Sequence, residues 1–260
     1  MNVFGALLVT LTTSYVAWFI ERHELRVVYP FDSAYSTPDT AGEARLKETR
    51  FPTDDGEELI VWRAEAAAGK PTVLYLPGNA GTLSDRAWRY GRMLDQGFGV
   101  VAPAYRGSSG SSGAPTEATL TADALALAKS IEARPLILYG ESLGTAIAIK
   151  LAADGVGDAL VLEAPFTSIP ELVARQYPAE NVGHLFTQIW DSAGRASGVT
   201  QPLLVVHGEA DTLVPLDMGQ TIFAAASSAQ KDLVVVPDQG HHAMWTSPVQ
   251  DAVFAFLATF

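Results

Sequence analysis

One short stretch constrains the fold more than any other. The apolar run Pro135-Leu136-Ile137-Leu138-Tyr139 enters Gly140-Glu141-Ser142-Leu143-Gly144, and the alanine-rich segment 145–153 follows at once. The run reads as a buried strand and the segment behind it as a helix, so the chain must turn from one into the other around Ser142. A turn that tight holds its central residue in a strained backbone conformation and lifts the Ser142 hydroxyl above the sheet edge. Side chains two residues to either side would strike the neighbouring strand and helix, so positions 140 and 144 both need glycine. The pentapeptide alone is a weak signal, because glycine and serine are common; its place between strand and helix gives it meaning. An ordinary strand-to-helix loop is the competing reading.

Around that unit the chain alternates. Runs 47–52 and 59–64 flank Asp54-Asp55-Gly56, a turn signal, and are expected to pair as a hairpin at one edge of a sheet. Short apolar runs at 72–76, 99–103, 135–139, 159–162, 203–206 and 233–236 read as strands; 84–96, 118–133, 145–153 and 251–260 read as helices. Continuous apolar strands alternating with helices predict an α/β fold with a mostly parallel central sheet covered on both faces. The 260 residues suit one such domain. It is expected to span 45–260, after a linker at 23–44, with a short cap at about 166–201.

A serine hydroxyl is a poor nucleophile at neutral pH. It needs an imidazole to take its proton, and the imidazole needs an acid to fix its tautomer. In open parallel sheets such groups collect beyond the carboxyl ends of the strands. The 203–206 run leads into His207-Gly208-Glu209-Ala210-Asp211, and the 233–236 run into Pro237-Asp238-Gln239-Gly240-His241-His242. Asp211 follows Ser142 by 69 residues and precedes His241 by 30. The first interval leaves room for a strand and a small cap, the second for one crossover helix and a returning strand. Ser142, Asp211 and His241 are therefore the expected catalytic residues. Glu163, at the end of the 159–162 run, is the rival acid and His242 the rival base. Asp211 as a turn aspartate is the plainer alternative. His207, before a glycine at a strand terminus, is expected to pack beneath its loop, and His23 and His184 to lie on the surface or cap.

Negative charge developing on a carbonyl oxygen needs two aimed N–H donors. Leu143, at the start of the helix, is expected to supply one, aided by the helix dipole. The loop Pro77-Gly78-Asn79-Ala80-Gly81 is expected to supply the other through the Asn79 N–H, since its glycines let the backbone approach a substrate.

With these residues in place, the chain resembles the α/β-hydrolases over about 45–260. It is most similar to the small, membrane-tethered serine hydrolases of the alpha/beta-hydrolase-domain type, which include protein depalmitoylases and esterases. The matching segments are Leu76-Pro77-Gly78-Asn79-Ala80-Gly81, Ala104-Tyr105-Arg106-Gly107, the Ser142 pentapeptide, Glu163-Ala164-Pro165-Phe166-Thr167-Ser168, His207-Gly208-Glu209-Ala210-Asp211 and Gly240-His241. Pro77 stands where that group has histidine, and His242 where it often has asparagine. The resemblance implies a serine carboxylester hydrolase working through an acyl-enzyme without cofactor or metal, or an acyl-protein or carrier thioesterase. A non-catalytic tethered binding module is the third possibility. The apolar residues of 166–201, Phe166 and Trp190 among them, are expected either to roof the sheet or to contact a short to medium acyl chain.

Residues 3–20 differ in kind: eighteen residues without a charge, with Tyr15, Trp18 and Phe19 near the end and Glu21-Arg22-His23-Glu24 beyond. They are long enough for an N-terminal membrane anchor within 1–22. Bulky residues where a signal peptide would be cleaved argue against removal. Arg22 and Arg26 weakly favour a cytoplasmic catalytic domain. A formal charge of −12 repels phosphate backbones, which disfavours nucleic acid as a partner. The lack of cysteine excludes disulfides, thiolate metal sites and a thiol nucleophile.

Overall fold

The computed structural model describes residues 18, 23–178, 182–242 and 244–260. Eight strands form one sheet: β1 (Lys47–Pro52), β2 (Glu58–Ala64), β3 (Thr72–Leu76), β4 (Gly99–Pro103), β5 (Leu136–Glu141), β6 (Ala159–Glu163), β7 (Leu203–Gly208) and β8 (Lys231–Val236). Their spatial order is β1-β2-β4-β3-β5-β6-β7-β8. The expected hairpin is the antiparallel β1–β2 pair; β2 also meets β4 antiparallel, and every other pairing is parallel.

The inner strands β3, β4 and β6 are buried at every position, as strands covered on both faces must be. Alternation divides the core in two. Leu74, Leu76, Leu138 and Leu160 face one side, packing with α2 (Glu117–Ser130) and α3 (Leu143–Ala153). Val73, Tyr75, Ile137 and Tyr139 face the other, packing with α1 (Ala87–Asp95) and α7 (Ser247–Leu257). Between them in sequence lie α4 (Ile169–Gln176), α5 (Ser192–Ala196) and α6 (Leu216–Ala225).

Some boundaries move for local reasons. The helix expected at 84–96 opens with a separate 3-10 turn, Ser84–Arg86. The helix expected at 251–260 begins at Ser247, because Pro248 suits a first helical turn, where no N–H is required. α2 begins one residue earlier than expected, where Thr116 and Thr119 form a reciprocal capping box.

The apolar run 3–20 lies outside the described residues except for Trp18, so the expected anchor does too. Among the described residues no helix is long and apolar enough to cross a membrane. Segment 23–44 lies along the domain. Buried Glu24 accepts hydrogen bonds from Thr187 N, Thr187 Oγ1 and Gln188 N at 2.5, 2.6 and 2.7 Å. Val28 and Tyr29 join the core.

Candidate active site

Ser142 occupies the N-cap position of α3 with φ 49° and ψ −113°, a left-handed conformation that side chains rarely adopt. A serine at a helix N-cap ordinarily turns its hydroxyl back onto the first turn; Ser142 makes no such bond. Its Oγ lies 3.0 Å from His241 Nε2 instead. The steric reasons for the two glycines are separate. A Cβ on Gly140 would stand 2.6 Å from Gly144 O and Thr145 Cα in the helix, and one on Gly144 only 1.9 Å from Leu76 O in β3. Backbone, not a flexible side chain, blocks both. Gly144→Ala is accordingly expected to lose about 3 kcal/mol of stability in chemical unfolding. An unchanged midpoint would show that the turn can relax around a methyl group.

His241 Nδ1 lies 2.7 Å from Asp211 Oδ2. A carboxylate only accepts, so Nδ1 carries the proton and Nε2 presents its lone pair to the Ser142 hydroxyl. Asp211 is held in turn by the N–H groups of Leu213 and Val214, at 2.9 and 2.8 Å from Oδ1. Burial pushes the Asp211 carboxyl up, but the His241 contact and the Val214 N–H outweigh it and hold the group below the usual carboxylate range. The two loops are tied together: Glu209 N donates to Val236 O and Ala210 N to Gln239 O, at 2.9 and 3.0 Å. A Cβ on Gly208 would stand 2.3 Å from Gln239 O, so the loops meet only because that residue has no side chain.

The rival residues lie elsewhere. His242 is exposed and stands edge-on to His241, ring centroids 5.0 Å apart. His207 is fully buried; its Nε2 is 2.9 Å from Val214 O and 3.7 Å from Asp211 Oδ2. Burial keeps its pKa below the usual histidine value. It braces the turn that carries Asp211. Glu163 accepts from Arg89 Nη1 at 2.8 and 3.0 Å, from Tyr139 OH at 2.6 Å and from Trp245 Nε1 at 3.0 Å. It thus sits in a buried polar network on the α1 side of the sheet, away from Asp211.

The 77–81 loop, which passes beside Ser142 at Gly78, is fixed from two directions. Tyr105 OH donates to Pro77 O at 2.8 Å, and the Asn79 side chain donates to Val28 O at 2.9 Å. The backbone N–H groups of Asn79 and Leu143 have no protein acceptor among the described residues. Phe166 and Trp190 are buried in the same apolar cluster as Leu143. The Trp190 Nε1–H donates to Tyr29 OH at 2.9 Å, and Tyr29 OH to Gln188 Oε1 at 2.8 Å.

The model of the alpha/beta hydrolase family matches residues 73–195. An uncharacterized protein of Mycobacterium tuberculosis is 34% identical over 244 residues, covering 90% of this chain and 86% of that one. The chain belongs to the alpha/beta hydrolase family. The lysophosphatidylserine lipase ABHD12 of Danio rerio is 33% identical to this hydrolase over 185 residues, 62% of this chain and 48% of the relative. This hydrolase therefore spans about half the length of that protein. Among solved structures, an esterase of Pyrococcus furiosus superposes with a TM-score of 0.72 at 18% identity, covering 88% of this chain and 96% of its own. A likeness at that identity is one of fold.

Sequence reasoning missed Arg86 and Arg89, which neutralise Glu141 and Glu163. A signal was present: each glutamate ends an apolar strand, and a buried carboxylate demands a cation. It also missed the hold of Val28 on Asn79, which pairs residues 51 apart with no local pattern.

Proposed function

We propose that this hydrolase is a serine carboxylester hydrolase that works through an acyl-enzyme. The observation supporting it is the unbroken contact from Asp211 Oδ2 through the His241 ring to Ser142 Oγ, at 2.7 and 3.0 Å. In this reading His241 Nε2 takes the hydroxyl proton as Ser142 Oγ bonds to the acyl carbon. The oxygen, now carrying the negative charge, is held by the Asn79 and Leu143 N–H groups. His241 returns the proton to the departing alcohol, and the acyl group stays on Ser142. Water then attacks the acyl carbon while giving a proton to His241, and the acid leaves as Ser142 regains its hydrogen. Asp211 stays ionised and stabilises the imidazolium each time it forms.

The preferred substrates are short to medium acyl esters. Resemblance to a lysophosphatidylserine lipase adds monoacyl lipid esters to the candidates, and resemblance to depalmitoylases adds acyl thioesters. Turnover of matched p-nitrophenyl esters, a monoacyl phospholipid and an acyl thioester would rank them. A fluorophosphonate probe is expected to label the wild-type protein at Ser142 and to leave Ser142→Ala unlabelled. Equal labelling of both proteins would reject the mechanism.

A further inference from the structure

Two carboxylates stand side by side at the ends of adjacent parallel strands. Glu141 and Glu163 are in register across β5 and β6, where strands run about 4.8 Å apart. Each takes an arginine from the same short segment. Arg86 grips Glu141 with two bonds, Nε to Oε2 at 2.6 Å and Nη2 to Oε1 at 2.9 Å. Arg89 grips Glu163, and Tyr75 joins the pairs by donating to Glu141 Oε2 at 2.9 Å while accepting from Arg89 at 3.0 Å. What lies beside the pairs differs. Glu163 faces Tyr139 and Trp245. Glu141 directly precedes Ser142. Its Oε1, Arg86 Nη2 and Ser142 Cβ each stand 3.4 Å from the point that a Gly78 Cβ would occupy. The carboxylate, the guanidinium, the nucleophile and the turn presenting the Asn79 N–H therefore share one corner. Arg86 also reaches the end of that turn, donating Nη1 to Thr82 O at 3.2 Å.

We propose that Arg86 is a positioning residue for acyl transfer: it cancels the Glu141 carboxylate beside the oxyanion loop and fixes where that carboxylate points. The inference rests on the serine-hydrolase reading above. When Ser142 attacks, a full negative charge appears on the former carbonyl oxygen between the Asn79 and Leu143 N–H groups. An uncompensated carboxylate in the same corner, poorly screened by water, would oppose that charge. The ester ground state is neutral, so the opposition falls on the transition state rather than on substrate binding. Arg86 removes it before any substrate arrives. Its bidentate grip also prevents the carboxylate from swinging towards the N–H donors.

The test compares wild type, Arg86→Gln, Arg86→Lys and the double variant Arg86→Gln/Glu141→Gln. The measurements are p-nitrophenyl ester turnover, the rate of fluorophosphonate labelling and the unfolding midpoint. Arg86→Gln is expected to lower kcat on the order of tenfold to a hundredfold with little change in KM. Removing the stranded carboxylate in the double variant should restore most of the loss, and Arg86→Lys should fall less than Arg86→Gln. A purely structural arginine predicts the reverse, a double variant no faster than Arg86→Gln. That result, or wild-type kcat in Arg86→Gln, overturns the proposal. Should Arg86→Gln fail to fold, the double variant decides, because it buries no unpaired charge. Turnover within about fivefold of wild type then supports the proposal, and anything slower overturns it. Labelling separates the two levels: unlabelled wild type sinks the serine-hydrolase reading, whereas labelled wild type with an unrecovered double variant sinks only the role of Arg86.

Discussion

Replacing His241 by alanine is expected to cut ester turnover by roughly 10^6-fold, to the limit of detection, while the unfolding midpoint stays close to that of wild type. The expectation follows from the two contacts that the ring makes. With the ring gone, Ser142 Oγ loses the partner placed to take its proton, and Asp211 keeps its hydrogen bonds from Leu213 and Val214. The fold therefore has little reason to weaken. Asp211→Asn is expected to cost less, roughly 10^4-fold, because an amide can hold the ring but favours the wrong tautomer. The matched control is His242→Ala. His242 flanks the His241 ring from an exposed position, so its loss should leave the fluorophosphonate reaction of Ser142 essentially intact. Inverted results for the two histidines would transfer the base to His242.

Glu163→Ala is expected to act on stability instead. The substitution leaves the buried Arg89 guanidinium without its carboxylate, and Tyr139 OH and Trp245 Nε1 without a shared acceptor. Removing one partner of a buried ion pair costs about 3–5 kcal/mol. In a domain of this size that lowers the unfolding midpoint by about 10 °C. Residual turnover per folded molecule should remain within about tenfold of wild type, because neither Ser142 nor His241 touches the carboxylate. The opposite pattern, an unchanged midpoint with abolished turnover, would make Glu163 the acid that its strand-end position allows.

Much of the architecture was readable because it rests on local patterns. Short, largely apolar runs such as 72–76 and 99–103, bounded by turn residues, read as strands covered on both faces, and Gly140 and Gly144 mark the sharp turn by their lack of side chains. The meeting of Ser142 with groups 69 and 99 residues away could be framed only through chain order at strand ends. The short helices α4 and α5 were not foreseen, since a span mixing prolines, glycines and scattered aromatics carries no clean period. Helix α6 was expected only as an unplaced crossover. The 3-10 turn Ser84–Arg86 was absorbed into a longer helix because composition does not register where the hydrogen-bond spacing changes. The pairing of Glu141 with Arg86 escaped because a charged residue beside a nucleophile reads as polar surface until the distant 3-10 turn that carries Arg86 is laid over it.

The three side chains that meet at Ser142 are unequally anchored. Ser142 follows an inner strand bonded on both sides, whereas the loop bearing His241 trails from β8, which ends the sheet and, among the described residues, pairs only with β7. Edge segments fray at a fraction of the free energy that unfolds a core. On the proposed mechanism, warming is expected to withdraw the imidazole while the turn under the serine is still folded, so that loss of turnover runs ahead of melting. An inactive population of this kind would be native in nearly every spectroscopic respect and would regain function as soon as the last strand settled back.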